Sequence, residues 1–399
     1  MNCSPPSPPS PLPGSERSCW SLPEDWAFLN PGSFGLRLRE VQAARADLLA
    51  RWEAQPVDFI ERASLALYDS SLHRTASFVG ADADGFGFVS NATEAIDAVL
   101  ARHAFRGGDI LLGDQAYGAV AAASAWVTRG SGAGRVRKVS VDLPAVSADA
   151  IVAAWQDALE KGGVDLAIVD HVTSCTALIQ PAAEIVSACR ERGVPVLVDG
   201  AHAPGMLDLD VAAIDADWYA GNLHKWIGAP AGAGFLWTAP QHRDRTRPLA
   251  LSHDANEGYA EAFRWQGTRD FTPWLVVPTA IEAIEKRWGW SRLRAWQRDM
   301  TRWAGREVAS ALGTCVADGT GGGLTGAMVS VRLPESHQRG FTDCVALRDH
   351  LAATYRVEVA IDDTPGQWWL RLSLGPWARP ADVHRLVEAL AATGSPARR

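Results

Sequence analysis

Between about residue 85 and residue 238 the chain alternates short, mostly apolar segments with helical stretches, and this alternation restricts its fold more than any other feature. The pattern predicts strands at Gly85–Ser90, Asp109–Asp114, Val136–Leu143, Val164–Val172, Val194–Gly200 and Ala233–Thr238. It predicts helices between them at Ala95–Phe105, Tyr117–Thr128, Ala148–Lys161 and Pro181–Arg192. Such an order is typical of an α/β fold with a mostly parallel sheet covered on both faces. Ligands of such sheets bind beyond the carboxyl ends of the strands.

Beyond Phe271 the pattern changes, and a chain of 399 residues is longer than one core usually supports. It predicts helices at Pro273–Trp288, Ser291–Leu312, Cys344–Tyr355 and Ala381–Ala391, with strands at Met328–Leu333, Val357–Ile361 and Trp368–Leu374. We therefore expect a smaller α+β C-terminal domain. The predicted divisions are a disordered Pro/Ser-rich tail (1–20), an N-terminal segment packing on the small domain (21–60), a large ligand-binding domain (61–272), and linking helices with the small domain (273–399).

Composition excludes several classes of function. The formal net charge of −8 argues against a nucleic-acid or anionic-membrane partner. No apolar run reaches transmembrane length, and the N-terminal stretch has no apolar core of a signal peptide. The six Cys are scattered without CxxC or metal-like spacing, so we expect free thiols, no metal site and a cytoplasmic location.

Lys225 and Asp199 point to a cofactor. Asp199 lies near the end of a predicted strand, and Lys225 follows one element later in Gly221–Trp226. Pyridoxal 5'-phosphate (PLP) needs a lysine amine for its Schiff base and an acidic group that keeps its pyridine nitrogen protonated. Either residue alone also fits a turn cap or a surface position. Together they predict a PLP site.

Other polar residues follow the same strand ends. The turn Ser90–Thr93, between a strand and a helix, suits an anion such as a phosphate, although it also fits a simple N-cap. His202 is a candidate for the ring hydroxyl and His224 for the phosphate. Tyr117, after the next strand, is a candidate for stacking on the cofactor ring.

Six segments in order resemble one family. They are Leu29–Gly35, Asn91–Ala95, Asp170–Ser174, Asp199–Gly205, Gly221–Trp226 and Trp265–Asp270. From about Trp26 to Leu390 the chain resembles class V aminotransferases, which are fold-type I PLP enzymes, and within them the isopenicillin N epimerase-like branch. The resemblance implies a seven-stranded, mostly parallel sheet between helices.

The resemblance also implies roles for individual residues. It implies Lys225 as the Schiff-base lysine and Asp199 as the partner of the pyridine nitrogen. Around the cofactor it implies Ala92, Thr93 and His224 near the phosphate, Thr173, Ser174 and His202 around the ring, and Tyr117 stacked on it, with Gln115 as the alternative. It also implies Asn222 as a cofactor-binding residue. It implies that Gly267 and Thr268 contact the cofactor of a neighbouring subunit, hence a homodimer.

Near the C-terminus, Trp369–Ser373 resembles the family's Arg-x-Ser segment. The guanidinium of Arg371 would pair bidentately with a substrate α-carboxylate, and Asn30 is the next candidate for that role. The chain departs from many relatives directly afterwards, where it has Leu374 and Gly375 in place of Tyr-Asn.

Three functions remain open on the sequence alone. The first is an epimerase or racemase of a small amino acid, with Lys225 removing the α-proton and a second, unidentified acid returning it. The second is a C–S lyase or desulfurase-like enzyme or an aminotransferase. A persulfide-forming desulfurase is disfavoured because 357–367, before the Arg-x-Ser segment, contain no Cys. The third is a non-catalytic PLP-binding protein.

Overall fold

The computed structural model describes residues 7–144, 146–318, 323–364 and 366–394. The strands are β1 (Ala27–Phe28), β2 (Phe86–Val89), β3 (Asp109–Gly113), β4 (Val136–Val139), β5 (Val164–Asp170), β6 (Val196–Gly200), β7 (Trp218–Asn222), β8 (Gly234–Thr238), β9 (Val316–Ala317), β10 (Met328–Arg332), β11 (Val357–Glu358), β12 (Ala360–Thr364) and β13 (Gln367–Ser373). The α-helices are α1 (Arg39–Ala54), α2 (Pro56–Asp58), α3 (Ser64–Phe78), α4 (Ala92–Leu100), α5 (Gly118–Val127), α6 (Ala148–Glu160), α7 (Ala182–Arg190), α8 (Val211–Ile214), α9 (Tyr259–Arg264), α10 (Thr272–Leu275), α11 (Val277–Trp288), α12 (Trp290–Leu312), α13 (Glu335–Arg339), α14 (Cys344–Tyr355) and α15 (Pro380–Gly394).

A seven-stranded sheet forms the large domain, in the order β2-β8-β7-β6-β5-β3-β4. The strands are parallel except β8, which pairs antiparallel with both neighbours. The central strands β6, β7 and β8 are buried at every position, as expected of strands covered on both faces. The predicted α/β class with a mostly parallel sheet is confirmed.

A second, four-stranded antiparallel sheet, β12-β13-β10-β9, lies in the C-terminal part of the chain. Helix α12 packs on it beside α15. The short strand β1 pairs with β11 in parallel, so the N-terminal segment adds to this smaller unit. The expected α+β C-terminal domain is confirmed, while the exact domain boundaries remain a prediction.

The N-terminal strap, residues 7–28, departs from the expectation of a disordered tail. Indole nitrogens of α11 and α12 donate to its backbone: Trp296 to the carbonyl of Ser10 at 2.8 Å and Trp288 to that of Pro13 at 3.0 Å. Arg17, buried within it, forms an ion pair in which one guanidinium nitrogen donates to both carboxylate oxygens of Asp382 at 2.6 Å. The prediction of disorder is therefore wrong for residues 7–20, because tryptophans elsewhere in the chain supply the hydrogen bonds that hold them. Residues 1–6 lie outside the described residues.

Strand β4 is shorter than predicted, and strand β7 is additional to the predicted strands. Strand β4 ends at Val139 rather than Leu143, since it is an edge strand that pairs only with the four residues Ile110–Gly113. Strand β7 was not among the predicted strands, and it fills the position between β6 and β8. Among the described helices, none has the length and hydropathy needed to cross a membrane.

Candidate active site

A cavity of about 1010 Å³ lies at the carboxyl ends of β5, β6 and β7, between the two sheets. The N-terminal strap contributes Trp26 and Phe28 to its wall, and β12 and β13 close it on the other side. Most residues that the sequence analysis singled out line it: Asn30, Ala92, Thr93, Tyr117, Ser174, Asp199, His202, Asn222, His224, Lys225 and Arg371. The fold therefore brings residues from distant segments into one space, as expected for this sheet type.

Lys225 lies in the turn after β7, with its Nζ atom 3.2 Å from Nε2 of His202. Burial and then the charge of Arg371 lower the pKa of the lysine from 10.5 to about 7, and Asp199 opposes this. Burial and then the charge of Lys225 hold the pKa of His202 well below its ordinary value, so the imidazole is neutral. The amine is therefore neutral in a large fraction of molecules near pH 7, as a nucleophile or base must be.

Asp199 and Asp170 lie side by side at the ends of β6 and β5, in register across the two strands. Both are buried and both line the cavity. Burial raises the pKa of both carboxyl groups, and the charge of Asp199 raises that of Asp170 further. Two adjacent buried carboxylates cannot both ionise readily, and the pKa of Asp170 is raised well above its ordinary value, so Asp170 is the member of the pair that favours the protonated form. The sequence analysis did not identify Asp170 as a site residue, because its pairing with Asp199 becomes known only from the order of the strands in the sheet.

The start of helix α4 faces the same cavity. Asn91 caps the helix by accepting from the backbone N–H of Glu94 at 2.9 Å. The side chain of Asn222, at the end of β7, accepts from the backbone N–H of Ala92 at 2.8 Å and ties the helix to the strand. Thr93 and His224 also line the cavity here. A helix N-terminus with a hydroxyl and an imidazole beside it can hold a phosphate.

The unpaired atoms of the cavity fit PLP. When Nζ of Lys225 donates to Nε2 of His202, the proton of the neutral imidazole is on Nδ1. That buried Nδ1 atom has no hydrogen-bond partner among the described residues. A cofactor oxygen would satisfy it, while Asp199 offers a carboxylate for a ring nitrogen and α4 an end for a phosphate. Lysine, carboxylate, imidazole donor and phosphate site are the groups that PLP requires.

Arg371, on β13, is a buried cation held by neutral groups. It donates to the carbonyl of Ser174 at 2.8 Å and to Oγ of the same residue at 3.1 Å. Its other terminal nitrogen donates to Oδ1 of Asn30 at 3.3 Å and to Oγ of Ser33 at 2.8 Å. Its Nε atom is buried without a partner among the described residues. The guanidinium is thus oriented but lacks a paired carboxylate in the described part of the chain, which suits a substrate carboxylate.

Of two pairs of nearby candidates, Tyr117 and Ser174 line the cavity, whereas Gln115 and Thr173 do not. Tyr117 lines the cavity with 49% of its surface exposed, whereas Gln115 is buried and accepts from the hydroxyl of Thr176. The hydroxyl of Thr173 contacts that of Thr176 at 2.7 Å and accepts from the N–H of Leu178. Thr173 is not among the lining residues, and its hydroxyl stabilises the turn after β5.

Gly267 and Thr268 also lie outside this cavity. Gly267 has a φ of +85°, and an added Cβ would meet no atom within 4 Å, so the loop is open to its surroundings. The next residue, Arg269, forms an ion pair with Glu94 of helix α4 at 3.4 Å. The loop is thus held close to the helix that faces the cavity. Over the described ranges, no group of His, Cys, Asp and Glu is arranged as a metal site.

The chain is similar to known proteins along most of its length. The sequence model of the family described as Aminotransferase class-V matches residues 37–348. Isopenicillin N epimerase of Amycolatopsis lactamdurans is 34% identical over 381 residues, which cover 91% of this chain and 94% of that protein. "Probable L-cysteine desulfhydrase, chloroplastic" of Arabidopsis thaliana is 31% identical over 395 residues, covering 92% and 82%. A solved structure of a C-DES mutant, with glycine covalently linked to its PLP cofactor, aligns with a TM-score of 0.81 at 20% identity, covering 94% and 99%.

Proposed function

Because this chain belongs to the class-V aminotransferase family and is a PLP-dependent enzyme, we propose that it epimerises or racemises an α-amino acid. The observation that carries the proposal is the position of Lys225. Its amine lies in the cavity, 3.2 Å from a neutral imidazole, and it interacts with the charges of a guanidinium, Arg371, and a carboxylate, Asp199. The two isopenicillin N epimerases at 34% and 32% identity support the same reaction.

The residues take distinct roles in this proposal. Asp199 would hold the protonated ring nitrogen of PLP, and Ala92, Thr93, Asn222 and His224 would hold its phosphate, since all five residues line the cavity. PLP, when bound, supplies a ring that accepts electrons from the substrate α-carbon. Arg371 binds the α-carboxylate and fixes the orientation of the Cα–H bond.

Proton transfer is the task of Lys225. Its Nζ atom accepts the α-proton, and the neutral His202 keeps that atom in position through the 3.2 Å contact. An imidazolium at this place would repel the protonated amine that results. The low pKa of His202 therefore supports proton removal, since the imidazole stays uncharged as the amine gains its proton.

Incubation with matched L- and D-amino acids in deuterated water tests the reaction type. We expect exchange of the α-proton, followed by NMR, together with loss of optical purity from either enantiomer. Keto acid and sulfide should stay at background in the same samples. Release of sulfide and keto acid with the remaining substrate still optically pure would contradict epimerisation and identify a lyase.

A C–S lyase is the second candidate, because plant L-cysteine desulfhydrases are 31–35% identical to the chain. Cys175 lies next to Ser174 and is influenced by the charge of Arg371, so it is the cysteine to consider as a sulfur acceptor. Burial and then the charge of Asp362 raise the pKa of its thiol to about 12. A thiol that stays protonated is a poor sulfur acceptor, so the lyase alternative is one that releases free sulfide.

We also propose that the protein is a homodimer with shared active sites, in which Gly267 and Thr268 contact the phosphate held by the neighbouring subunit. The open loop at Gly267 and its absence from the chain's own cavity support this arrangement. Light scattering should give twice the mass of 42.8 kDa. Mixing Lys225→Ala protein with Thr268→Glu protein should give heterodimers with one intact site. Their activity should therefore exceed that of either variant alone.

A further inference from the structure

Asp362 is a half-buried carboxylate of the cavity that the roles assigned above do not use. It lies on β12, and its Oδ2 atom is inaccessible to solvent and has no hydrogen-bond partner among the described residues. Burial raises the pKa of its carboxyl group, while the charges of Arg371 and Arg348 oppose this. Burying an acceptor without a donor costs free energy. We therefore expect a bound ligand to supply the hydrogen-bond donor for this Oδ2 atom.

Strand register places Asp362 next to Arg371. Ala360 pairs with Arg371 and Asp362 with Trp369 across β12 and β13, so Asp362 and Arg371 share one face of the small sheet. Diagonal neighbours of this kind are roughly 7–8 Å apart at the backbone. The guanidinium is turned toward Ser174, Asn30 and Ser33 rather than toward the carboxylate. The wall therefore presents a cationic and an anionic position side by side.

The other cation near Asp362 is already paired. Arg348, on α14, contacts the carboxylate of its neighbour Asp349 through two nitrogens at 3.0 and 2.9 Å. The remaining acidic group on this part of the wall, Glu358, also has a raised pKa, chiefly through burial. A second carboxylate brought here by a ligand would be desolvated beside Asp362 and Glu358, and repulsion would be strong at such low dielectric.

We propose that Asp362 is a specificity residue that binds a hydrogen-bond donor on the substrate side chain. The substrate class is then an α-amino acid whose side chain carries an amide, hydroxyl, thiol or ammonium donor, and acidic side chains are excluded. This rests on the proposed function, because Arg371 must hold the α-carboxylate for the side chain to extend along β12. Asp362 contacts the substrate away from the reacting carbon and takes no part in proton transfer.

Matched pairs of amino acids test the assignment: glutamine with glutamate, asparagine with aspartate, and cysteine with cysteine sulfinate. Binding is measured from the change in cofactor absorbance and turnover from α-proton exchange. A hydrogen bond to a charged group contributes about 1.5–3 kcal/mol, so the donor form should be preferred about ten- to a hundred-fold. Asp362→Asn should reduce that preference at least about tenfold, mainly through a higher affinity for the acidic member, because the repulsion is removed.

Asp363→Asn is the matched control. Asp363 is the next residue on the same strand, points to the opposite face and is exposed. We expect this variant to keep the wild-type preference. The melting temperature of Asp362→Asn should equal or exceed that of the wild type, because the change removes the charge of a carboxylate whose Oδ2 atom is buried without a partner among the described residues. Normal folding with altered selectivity would separate a specificity role from a structural one.

The outcomes are distinguishable. If kcat/KM falls equally for both members of every pair, Asp362 acts only as a distant counter-charge of Arg371, and the inference is overturned. An unchanged ratio in Asp362→Asn overturns it as well, while exchange of the α-proton would leave the proposed function standing. If no amino acid changes the absorbance or exchanges its α-proton, the proposed function itself fails and the specificity role fails with it.

Discussion

The protonation states of Lys225 and Asp170 depend on burial more than on residue type. The same cavity lowers the pKa of the amine to about 7 and raises that of the carboxyl well above its ordinary value, since low dielectric disfavours either charge. Lys225 and Asp199 could be predicted from sequence, because their chemistry is specific to one cofactor. Asp170, Asp362 and the unpaired Nδ1 of His202 could not, because their states depend on neighbours that are distant along the chain.

The depressed pKa of Lys225 predicts how apo-protein takes up PLP. Only the neutral amine attacks the cofactor aldehyde, so the rate of reconstitution should rise with pH and reach half of its maximum near pH 7, far below 10.5. Stopped-flow absorbance after mixing apo-protein with PLP measures this rate. Lys225→Ala should bind PLP without the visible band, and borohydride should attach pyridoxyl to Lys225 alone in the parent. A midpoint near the ordinary lysine pKa would show that the amine is not desolvated.

The raised pKa of Asp170 makes a prediction about stability. Between the unfolded pKa of 3.8 and the higher folded value, the native state binds more protons than the unfolded state. Stability contributed by this group is therefore present at low pH and is lost as pH rises through the folded pKa. Asp170→Asn, a neutral isostere, should raise the melting temperature at neutral pH and flatten its decline with pH, while retaining PLP. A melting temperature below that of the parent at neutral pH would contradict this prediction.

At the scale of elements, strands and helices with a strong hydrophobic periodicity could be predicted from the sequence. Elements that depend on pairing or packing with distant parts of the chain could not. Helix α14 begins and ends at the predicted residues Cys344 and Tyr355. Strand β7, Trp218–Asn222, ends in Gly and Asn and shows no alternation, so only its pairing with β6 and β8 makes it a strand. The N-terminal strap has a composition typical of disorder, yet indole donors from α11 and α12 fix it.

The ion pair between the strap and helix α15 predicts a large loss of stability on substitution. The side chains of Arg17 and Asp382 are 1% and 7% exposed, so Asp382→Ala leaves a buried arginine unpaired. We expect a loss of about 3–5 kcal/mol in the free energy of unfolding. Arg17→Met combined with Asp382→Leu should recover much of it, since no charge is then buried. Urea denaturation monitored by tryptophan fluorescence measures both.

The exposed pair between Glu24 and Arg379 is the matched control for that experiment. Its side chains are 68% and 44% exposed at a distance of 3.1 Å. Glu24→Gln should cost no more than about 1 kcal/mol, because solvent screens such pairs. Equal losses at the two sites would show that the strap is not anchored through Arg17.

At the scale of the whole molecule, the site is assembled from two sheets. Lys225 and Asp199 come from the large sheet and Arg371 and Asp362 from the small one, so a substrate must bridge them. The sequence predicted a site at the carboxyl ends of the strands and, separately, a smaller C-terminal domain from the change of pattern after Phe271. It could not predict the position of the small sheet over the strand ends, because that depends on packing among elements far apart in the chain.

This division predicts that substitutions on the small sheet alter substrate handling without altering the cofactor. Arg371→Lys should lower kcat/KM for α-amino acids about ten- to a hundred-fold, since an ammonium cannot make two parallel hydrogen bonds worth about 1.5–3 kcal/mol each. The absorbance of bound PLP and its dissociation constant should stay unchanged. Amines that lack the carboxylate should be poor substrates of the parent and little affected by the change.

Arg348→Lys, on the same wall but paired with Asp349, is the control and should retain the parent kcat/KM. If Arg371→Lys leaves the kinetics of every accepted amino acid unchanged, the carboxylate is held elsewhere, with Asn30 the first residue to test, and the two sheets do not share the substrate in this way.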